Sequence, residues 1–407
     1  MASPSSGGLP ATARNANGGL GMTDDRVGVL LLIKGLGGGG AERLLVNSLP
    51  HLDRERFNYS VAYLLPWKDD LVAPFEEYGI DVSCLDAGNI PRPAVVTRLS
   101  RLMTEKQIAV LDVHLPYSGL IGRLAARRAK TPVVVYTEHV LSVQRRLERA
   151  RFLSFISNVA TYPMNDLIVA VSRDTLRDVE RFNWSRTPTR LIYNGIPLED
   201  FDVESDRGIG WRAQVGIGPE KTVIGHIAKM VSKKDQRTLL DAVRKTVDDH
   251  PEVVLVVVGE GDLRDELEAY TAELGLTDQV VFTGFIDDPR AALAGFDLFA
   301  LSSLHEGLPT VVIEAMASGV PVVATDVGGT GEIVTDGDDG ILVPAGDPDA
   351  LAGAISELVH DVERRKEMGR RASESVRRRF DIARRVHEME AAYDELLTPS
   401  AGAPSRR

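Results

Sequence analysis

Residues His305–Gly329 read HEGLPTVVIEAMASGVPVVATDVGG. The stretch divides into a loop, a short helix, a glycine stop, a strand and a second glycine loop. Before Asp326 the only acidic or basic side chains other than His305 are Glu306 and Glu314. Pro309 suits the first turn of a helix, where a missing N–H is harmless, and Gly319 suits the position just past the end. A helix is therefore predicted over Pro309–Ser318, with Glu306 in the loop before it and Glu314 inside it. Val311, Val312, Ile313, Ala315, Met316 and Ala317 make that helix almost wholly apolar, as in one packed under a sheet. A buried carboxylate is costly unless donors satisfy it, and the adjacent hydroxyls of a ribose are two such donors. The N–H groups around Gly307 and Leu308, at the positive helix end, suit an anion such as a diphosphate. The alternative is that Glu314 pairs with a basic neighbour and Glu306 is a solvated loop residue.

The run EGLPTVVIEAMASGVPVVAT resembles the signature of the retaining glycosyltransferases of family 4, two-domain enzymes with the GT-B fold. The two glutamates match in spacing, and the apolar helix and the G-x-P-V-V-A strand match in type. The likeness spans most of residues 26–397. It implies that Glu306 holds the hydroxyls of a transferred sugar, that Glu314 binds the donor ribose, and that Gly307 and Leu308 meet the donor.

The chain has 407 residues, enough for two or three domains, and its 43% hydrophobic and 26% charged content is ordinary for a globular protein. The net charge is −12, unevenly spread: residues 1–200 carry 24 Lys+Arg against 21 Asp+Glu, and the remainder 23 against 38. The first half is thus the side more suited to an anionic partner, a phosphorylated lipid, an anionic glycan or a membrane surface; a favoured arginine surface explains the bias equally well. Cys84 is the single cysteine, which excludes an internal disulfide and a cysteine metal site. No apolar run reaches the roughly 18 residues of a membrane span, and residues 1–24 lack the apolar core of a signal peptide. A cytoplasmic protein is expected, with residues 1–24 and 398–407 as disordered tails.

Val27–Ile33 is a continuous apolar run, the pattern of a strand buried on both faces of a parallel sheet. A glycine loop and a helix to about Leu49 follow. Further strands are predicted at Tyr59–Leu65, Ile108–Val113, Pro132–Thr137, Asp166–Val171 and Arg190–Tyr193. The rhythm then restarts at Thr222–Ala228, Val253–Val258, Val280–Thr283, Asp297–Leu301, Pro321–Thr325 and Gly340–Val343. Two doubly wound Rossmann-like α/β domains follow from this alternation, 25–197 and 198–379; the resemblance implies that the first is the acceptor side and that the second binds the nucleotide sugar. The joint falls near Asn194–Phe201. Glu363–Leu397 reads as two closing helices, and the resemblance implies that the last, 380–397, crosses back to the first domain.

Gly35, Gly37 and Gly40 satisfy a G-x-G-x-x-G pattern after the first strand. A nicotinamide enzyme would place an acid at the end of the second strand, where this chain has Pro66, Trp67 and Lys68; the oxidoreductase reading is weakened accordingly. In the family a GGAER-like loop approaches the donor diphosphate and the acceptor, and Gly39, Gly40 and Glu42 match it, bare backbone allowing close approach. His139 lies just past a strand end, where open α/β sheets build their sites. By itself it reads as structural; the resemblance implies that it lines the sugar site and contacts the reacting hexose. His114 holds a similar place and is the weaker candidate, for the acceptor cleft or as a loop cap. Gln144–Pro163 combines Arg145, Arg146, Arg149 and Arg151 with Phe152, Leu153, Phe155 and Ile156. It reads either as a core helix with a solvated arginine face or as a surface for peripheral association with anionic lipid, at the inner face of the membrane.

After the first strand of the second half comes GHIAKMVSKKDQRTLLDA, where the family commonly has Arg and, five positions on, Lys, both facing the donor diphosphate. Lys229 and Lys234 occupy these positions. Lys229 departs from the pattern, because a planar fork becomes a point charge. A solvated lysine cluster of Lys229, Lys233 and Lys234 is the competing reading. Phe285 and Ile286, after Gly284, match the segment that lies along the nucleotide base. The Asp-x-Asp pairs 200/202, 336/338 and 347/349 read as turn residues. No metal, no other cofactor and no nucleic acid are expected. The expected partners are a nucleotide diphosphate sugar, UDP- or GDP-linked, and a glycan or lipid-linked acceptor with a hydroxyl. That implies a hexosyltransferase of cell-surface polysaccharide or glycolipid synthesis. A subunit that binds nucleotide sugars without catalysis is the second possibility, kept open by Lys229.

Overall fold

The structure, a computed structural model, describes residues 26–87, 92–139, 149–201, 205–286 and 288–398. Residues 1–25 and 399–407, Arg145 and Arg146 of the basic stretch, and Asp202 lie outside them. The first sheet contains β1 (Val27–Ile33), β2 (Phe57–Tyr63), β3 (Asp81–Cys84), β4 (Ile108–His114), β5 (Val133–Glu138), β6 (Leu167–Ala170) and β7 (Thr189–Leu191), in the order β3-β2-β1-β4-β5-β6-β7. The second contains β8 (Thr222–Ile227), β9 (Val253–Val258), β10 (Val280–Gly284), β11 (Leu298–Leu301), β12 (Val322–Thr325) and β13 (Ile341–Val343), in the order β10-β9-β8-β11-β12-β13. All pairings within the two sheets are parallel. Two doubly wound α/β units with a switch point between their first and fourth strands are thus in place.

The continuous apolar runs become these central strands because each is covered by helices on both faces. Every residue of β4 except Ala109, and every residue of β5, β9 and β12, is buried. The strand expected at Tyr59–Leu65 begins and ends two residues earlier. Leu64 and Leu65 instead donate their N–H groups to the Lys34 carbonyl, at 3.2 and 3.0 Å, leaving the ladder to form the loop above the sheet. β3 was not foreseen. It is a short edge strand with no buried residue, so it carries no apolar run to read.

The helix expected at Pro309–Ser318 spans Thr310–Ala317; Pro309 stands just before it in extended conformation rather than in its first turn, and Gly319 follows with φ +75°. The chain passes between the sheets twice, side by side: Ile196 donates to the Phe380 carbonyl at 2.9 Å and accepts from Ile382 at 3.1 Å. The helix Ile382–Leu397 then returns to the first sheet, where Met389, Ala392 and Tyr393 join the core beside Val29, Phe57 and Tyr59. Its polar side chains dock as well. Tyr59 donates to Glu390 at 2.8 Å and Tyr393 to Asp112 at 2.6 Å. Among the described residues no helix is long and apolar enough to cross a membrane.

Candidate active site

The second half's contribution begins at Glu306, whose side chain is 7% exposed. Its Oε1 accepts from the Lys234 ammonium and, at 2.6 Å, from the Ser303 hydroxyl. Burial alone would raise its pKa, but Lys234, Lys233 and the two hydrogen bonds outweigh burial and hold the carboxyl below its ordinary range. Backbone contacts fix the loop around this pair: Leu304 donates to the Lys233 carbonyl at 2.8 Å, and the Ser302 hydroxyl to the Lys234 carbonyl at 2.9 Å. From the other side the second glycine loop supports the tip, Gly329 donating to the Gly307 carbonyl at 2.7 Å. Gly328 has φ +56°, and a Cβ there would collide with the Glu306 carbonyl, so only glycine fits without strain. Leu308 sits in the core, pinning the loop to the helix it precedes. Among the described residues no acceptor is bonded to the N–H of Gly307 or Leu308.

Glu314, one face round on that helix, behaves oppositely. Burial pushes its carboxyl up to about 7, and the pull of Arg43 and a hydrogen bond with Thr310 only partly offset it. Arg43 belongs to the other half, on the helix Gly40–Ser48. The two halves therefore face each other here. A Cβ on Gly40 would lie 4.0 Å from the Thr310 hydroxyl, so the exposed Gly39–Gly40 turn and the helix start stand across one cleft. Glu42 folds back over that turn, its Oε2 where a Gly39 side chain would be. Burial raises its pKa against a backbone hydrogen bond and the charges of Lys68, Lys34 and His114.

His139 follows β5 directly. Register pairs His114 with Thr137, and the alternation of a strand brings His139 to the same face. His139 Nε2 lies 3.1 Å from His114 Nδ1. His114 Nε2 in turn lies 3.4 Å from Asp112 Oδ2. Burial, then His114 and Arg385, push the His139 pKa well below the imidazole range, against a smaller pull from Asp112, so the ring is neutral near neutral pH. His114 is thus the direct neighbour of His139 rather than a loop cap.

The remaining candidates are placed less tightly. Lys229 is exposed, and its carbonyl accepts from the Gln236 side chain at 3.2 Å. Phe285 is 58% exposed, whereas Ile286 packs against the core. The described Asp-x-Asp residues are engaged elsewhere: Asp200 with Arg290, Asp338 with Arg371, Asp349 with Lys245, Asp336 with the Leu342 N–H and Asp347 as a helix cap. Among the described residues no cluster of three His, Cys, Asp or Glu could hold a metal ion.

Several residues escaped the sequence reading. Ser303 was adjacent to the motif but carries no charge. Asp112 stands two residues before His114, hence on the same strand face, and that spacing was the available signal. Glu332 had none: its carboxylate accepts from the N–H groups of Arg173 and Asp174, at 2.8 and 3.0 Å, and from the Tyr193 hydroxyl at 2.9 Å. It caps the helix Arg173–Phe182 of the first half from the second, next to the glycine loop that supports Glu306.

Two family models match the chain, Glycosyltransferase Family 4 over residues 38–200 and Glycosyl transferases group 1 over residues 210–375. The GDP-mannose-dependent alpha-(1-6)-phosphatidylinositol monomannoside mannosyltransferase of Mycolicibacterium smegmatis is 30% identical over 295 residues, 69% of this chain and 75% of that protein. The UDP-Gal:alpha-D-GlcNAc-diphosphoundecaprenol alpha-1,3-galactosyltransferase of Escherichia coli is 23% identical over 368 residues, 88% and 94% of the two chains. Among solved structures, Anabaena Alr3699/HepE in complex with UDP and glucose superposes with a TM-score of 0.82 at 23% identity, covering 91% of this chain and 100% of that one. The likeness to that structure concerns the fold, which is GT-B. With this fold and these matches over both halves, the chain belongs to the family 4, group 1 glycosyltransferases and is a transferase.

Proposed function

We propose that the protein moves a hexose from a UDP- or GDP-linked sugar to a hydroxyl of a glycan or lipid-linked acceptor, with retention at the anomeric carbon. The observation that carries this is the Lys234–Glu306–Ser303 cluster at the mouth of the cleft, a buried carboxylate held ionised beside a helix start. Glu306 receives hydroxyls of the sugar near the reacting carbon. Lys234, with Lys229, neutralises the departing diphosphate together with the N–H groups of Gly307 and Leu308. Glu314 accepts from the ribose hydroxyls, Phe285 and Ile286 lie along the base, and Gly39–Gly40 lets the donor approach the first half closely. His139 meets the sugar from the opposite wall. The bond from C1 to the phosphate oxygen breaks as the acceptor oxygen bonds C1 on the same face, and the acceptor proton passes to the leaving phosphate. Curated relatives named for GDP-mannose and UDP-galactose donors, with lipid-linked acceptors, support this range of substrates, and fit a place in glycolipid or polysaccharide synthesis.

Thermal stabilisation by a panel of nucleotide sugars tests the donor, and NMR of the product with the best donor reads the anomer. Stabilisation by no UDP- or GDP-sugar, or an inverted product, overturns the reading. Because lysines take the place of a cation at the diphosphate, EDTA is expected to leave transfer intact; abolished activity would show that a metal is needed.

A further inference from the structure

The first sheet and the helix that returns to it hold a buried chain of polar groups drawn from three separate parts of the sequence. Tyr393, on the helix that returns from the second half, donates to Asp112 Oδ2 at 2.6 Å. That same oxygen lies 3.4 Å from His114 Nε2, and His114 Nδ1 lies 3.1 Å from His139 Nε2. Asp112 and His114 are 2% and 0% exposed, so bulk water does not compete for these contacts. Burial opposes charge on Asp112, but His114, Tyr393 and the buried Arg385 outweigh it and hold the carboxyl below its ordinary range.

The protons can be followed along this chain. A carboxylate facing a ring nitrogen repels a lone pair and attracts an N–H. His114 Nε2 therefore carries a proton; in a ring with no second proton Nδ1 is the acceptor, and the 3.1 Å contact is then a donation from His139 Nε2. The second ring nitrogen of His139, Nδ1, is left as a lone pair, so a sugar hydroxyl meeting it must donate rather than accept.

We propose that Asp112 is a positioning residue: acting through His114 and oriented by Tyr393, it fixes His139 as the Nε2–H tautomer and so presents a hydrogen-bond acceptor to the transferred sugar. The proposal rests on the reading of His139 as a sugar contact, but its first test does not. In protein labelled with ¹⁵N at histidine, with the His139 signals identified by their loss in His139→Gln, Nε2 is expected to be the protonated nitrogen and Nδ1 the bare one. The reverse pattern, or a mixture of both, overturns the proposal.

Asp112→Asn removes the negative charge that holds the proton on His114 Nε2 and is expected to replace the single pattern by a mixture in both rings. It is expected to lower kcat at least about tenfold, as loss of such an outer partner does elsewhere, with donor KM little changed. Tyr393→Phe keeps the charge of Asp112 and loses only its orientation. It is expected to give a smaller fall in kcat and a partial shift of the nitrogen signals, and provides the reading if Asp112→Asn does not fold. Unchanged tautomer signals and unchanged kcat in folded Asp112→Asn or Tyr393→Phe overturn the proposal. Full transfer by His139→Gln, with the expected tautomer in the wild type, would instead overturn the role of His139 and leave the tautomer assignment standing.

Discussion

Both sheets place their third, second, first, fourth, fifth and sixth strands in the same order, yet the ends that face the cleft are built differently. In the second half the loops hold one another by backbone: Met230 donates to the Glu260 carbonyl at 2.9 Å, Gly259 to Gly284 at 2.9 Å and Gly329 to Gly307 at 2.7 Å. In the first half such backbone bonds, Leu36 to the Lys68 carbonyl at 2.7 Å among them, are joined by a buried side-chain network. Asp112, His114 and His139 form it, and toward the other end of the sheet, before β6, Arg123, 1% exposed, donates to Asn165 at 2.8 Å, Asn158 at 2.7 Å and Thr161 at 2.8 Å. A backbone scaffold tolerates most side-chain changes and fails chiefly at its glycines. A side-chain network can fail at any member, because each loss leaves another buried polar group unpaired.

Four variants break or sharpen this contrast. The largest effect is expected at Glu306, a buried charge of the second half. Glu306→Ala is expected to keep its melting temperature within a few degrees yet lose about a hundredfold or more in kcat, the scale of removing a preorganised polar contact to a transition state. Near-normal turnover would remove Glu306 from the site.

Next is the scaffold. Gly328→Ala puts a methyl group against the Glu306 carbonyl at a positive φ, and is expected to cost about 1–3 kcal/mol of stability. Urea denaturation reads this, and a stable variant would show that the loop moves aside freely.

Glu332 joins the two kinds of construction, a second-half side chain capping a first-half helix. Glu332→Ala is expected to cost about 1 kcal/mol, as lost helix caps do. It is also expected to enlarge the radius of gyration in solution scattering by loosening the halves; an unchanged radius would show that the cap does not hold them.

The last variant concerns pH. With its carboxyl at about 7 in the folded chain against an ordinary 4.5, Glu314 holds a proton that the unfolded chain has lost. Between these values stability without ligand is expected to fall as pH rises. Affinity for a free nucleoside diphosphate is expected to rise over the same range, because the ionised carboxylate is the better acceptor for ribose hydroxyls. Glu314→Gln flattens both slopes, measured by melting and by calorimetry. Affinity independent of pH in the wild type would detach Glu314 from the ribose.

The same contrast governs how much could be read from the chain. Central parallel strands are legible because burial on both faces leaves an unbroken apolar run, as in Val253–Val258. The edge strand Asp81–Cys84 is not, since nothing covers it fully. On the second side the loop motif names its own residues: Glu306, Gly307, Leu308 and Glu314 are neighbours in sequence. Lys234, 72 residues from Glu306, was named through the resemblance to the family and meets Glu306 in the fold. On the first side His139 could be named but not its support. Tyr393 reaches Asp112 from 281 residues away, and neither periodicity nor composition records such a meeting. Glu332 carries no local mark either, being an ordinary acid at the start of a short helix.

The returning helix has a consequence for biogenesis. Asp112 waits for a partner encoded 281 positions later, a lag on the order of tens of seconds at ordinary rates of elongation. Until Ile382–Leu397 has emerged from the ribosome, the sheet around Val29, Phe57 and Tyr59 lacks part of its cover. A nascent chain can thus assemble the second sheet before the first is sealed, and closure of the first waits on the returning helix.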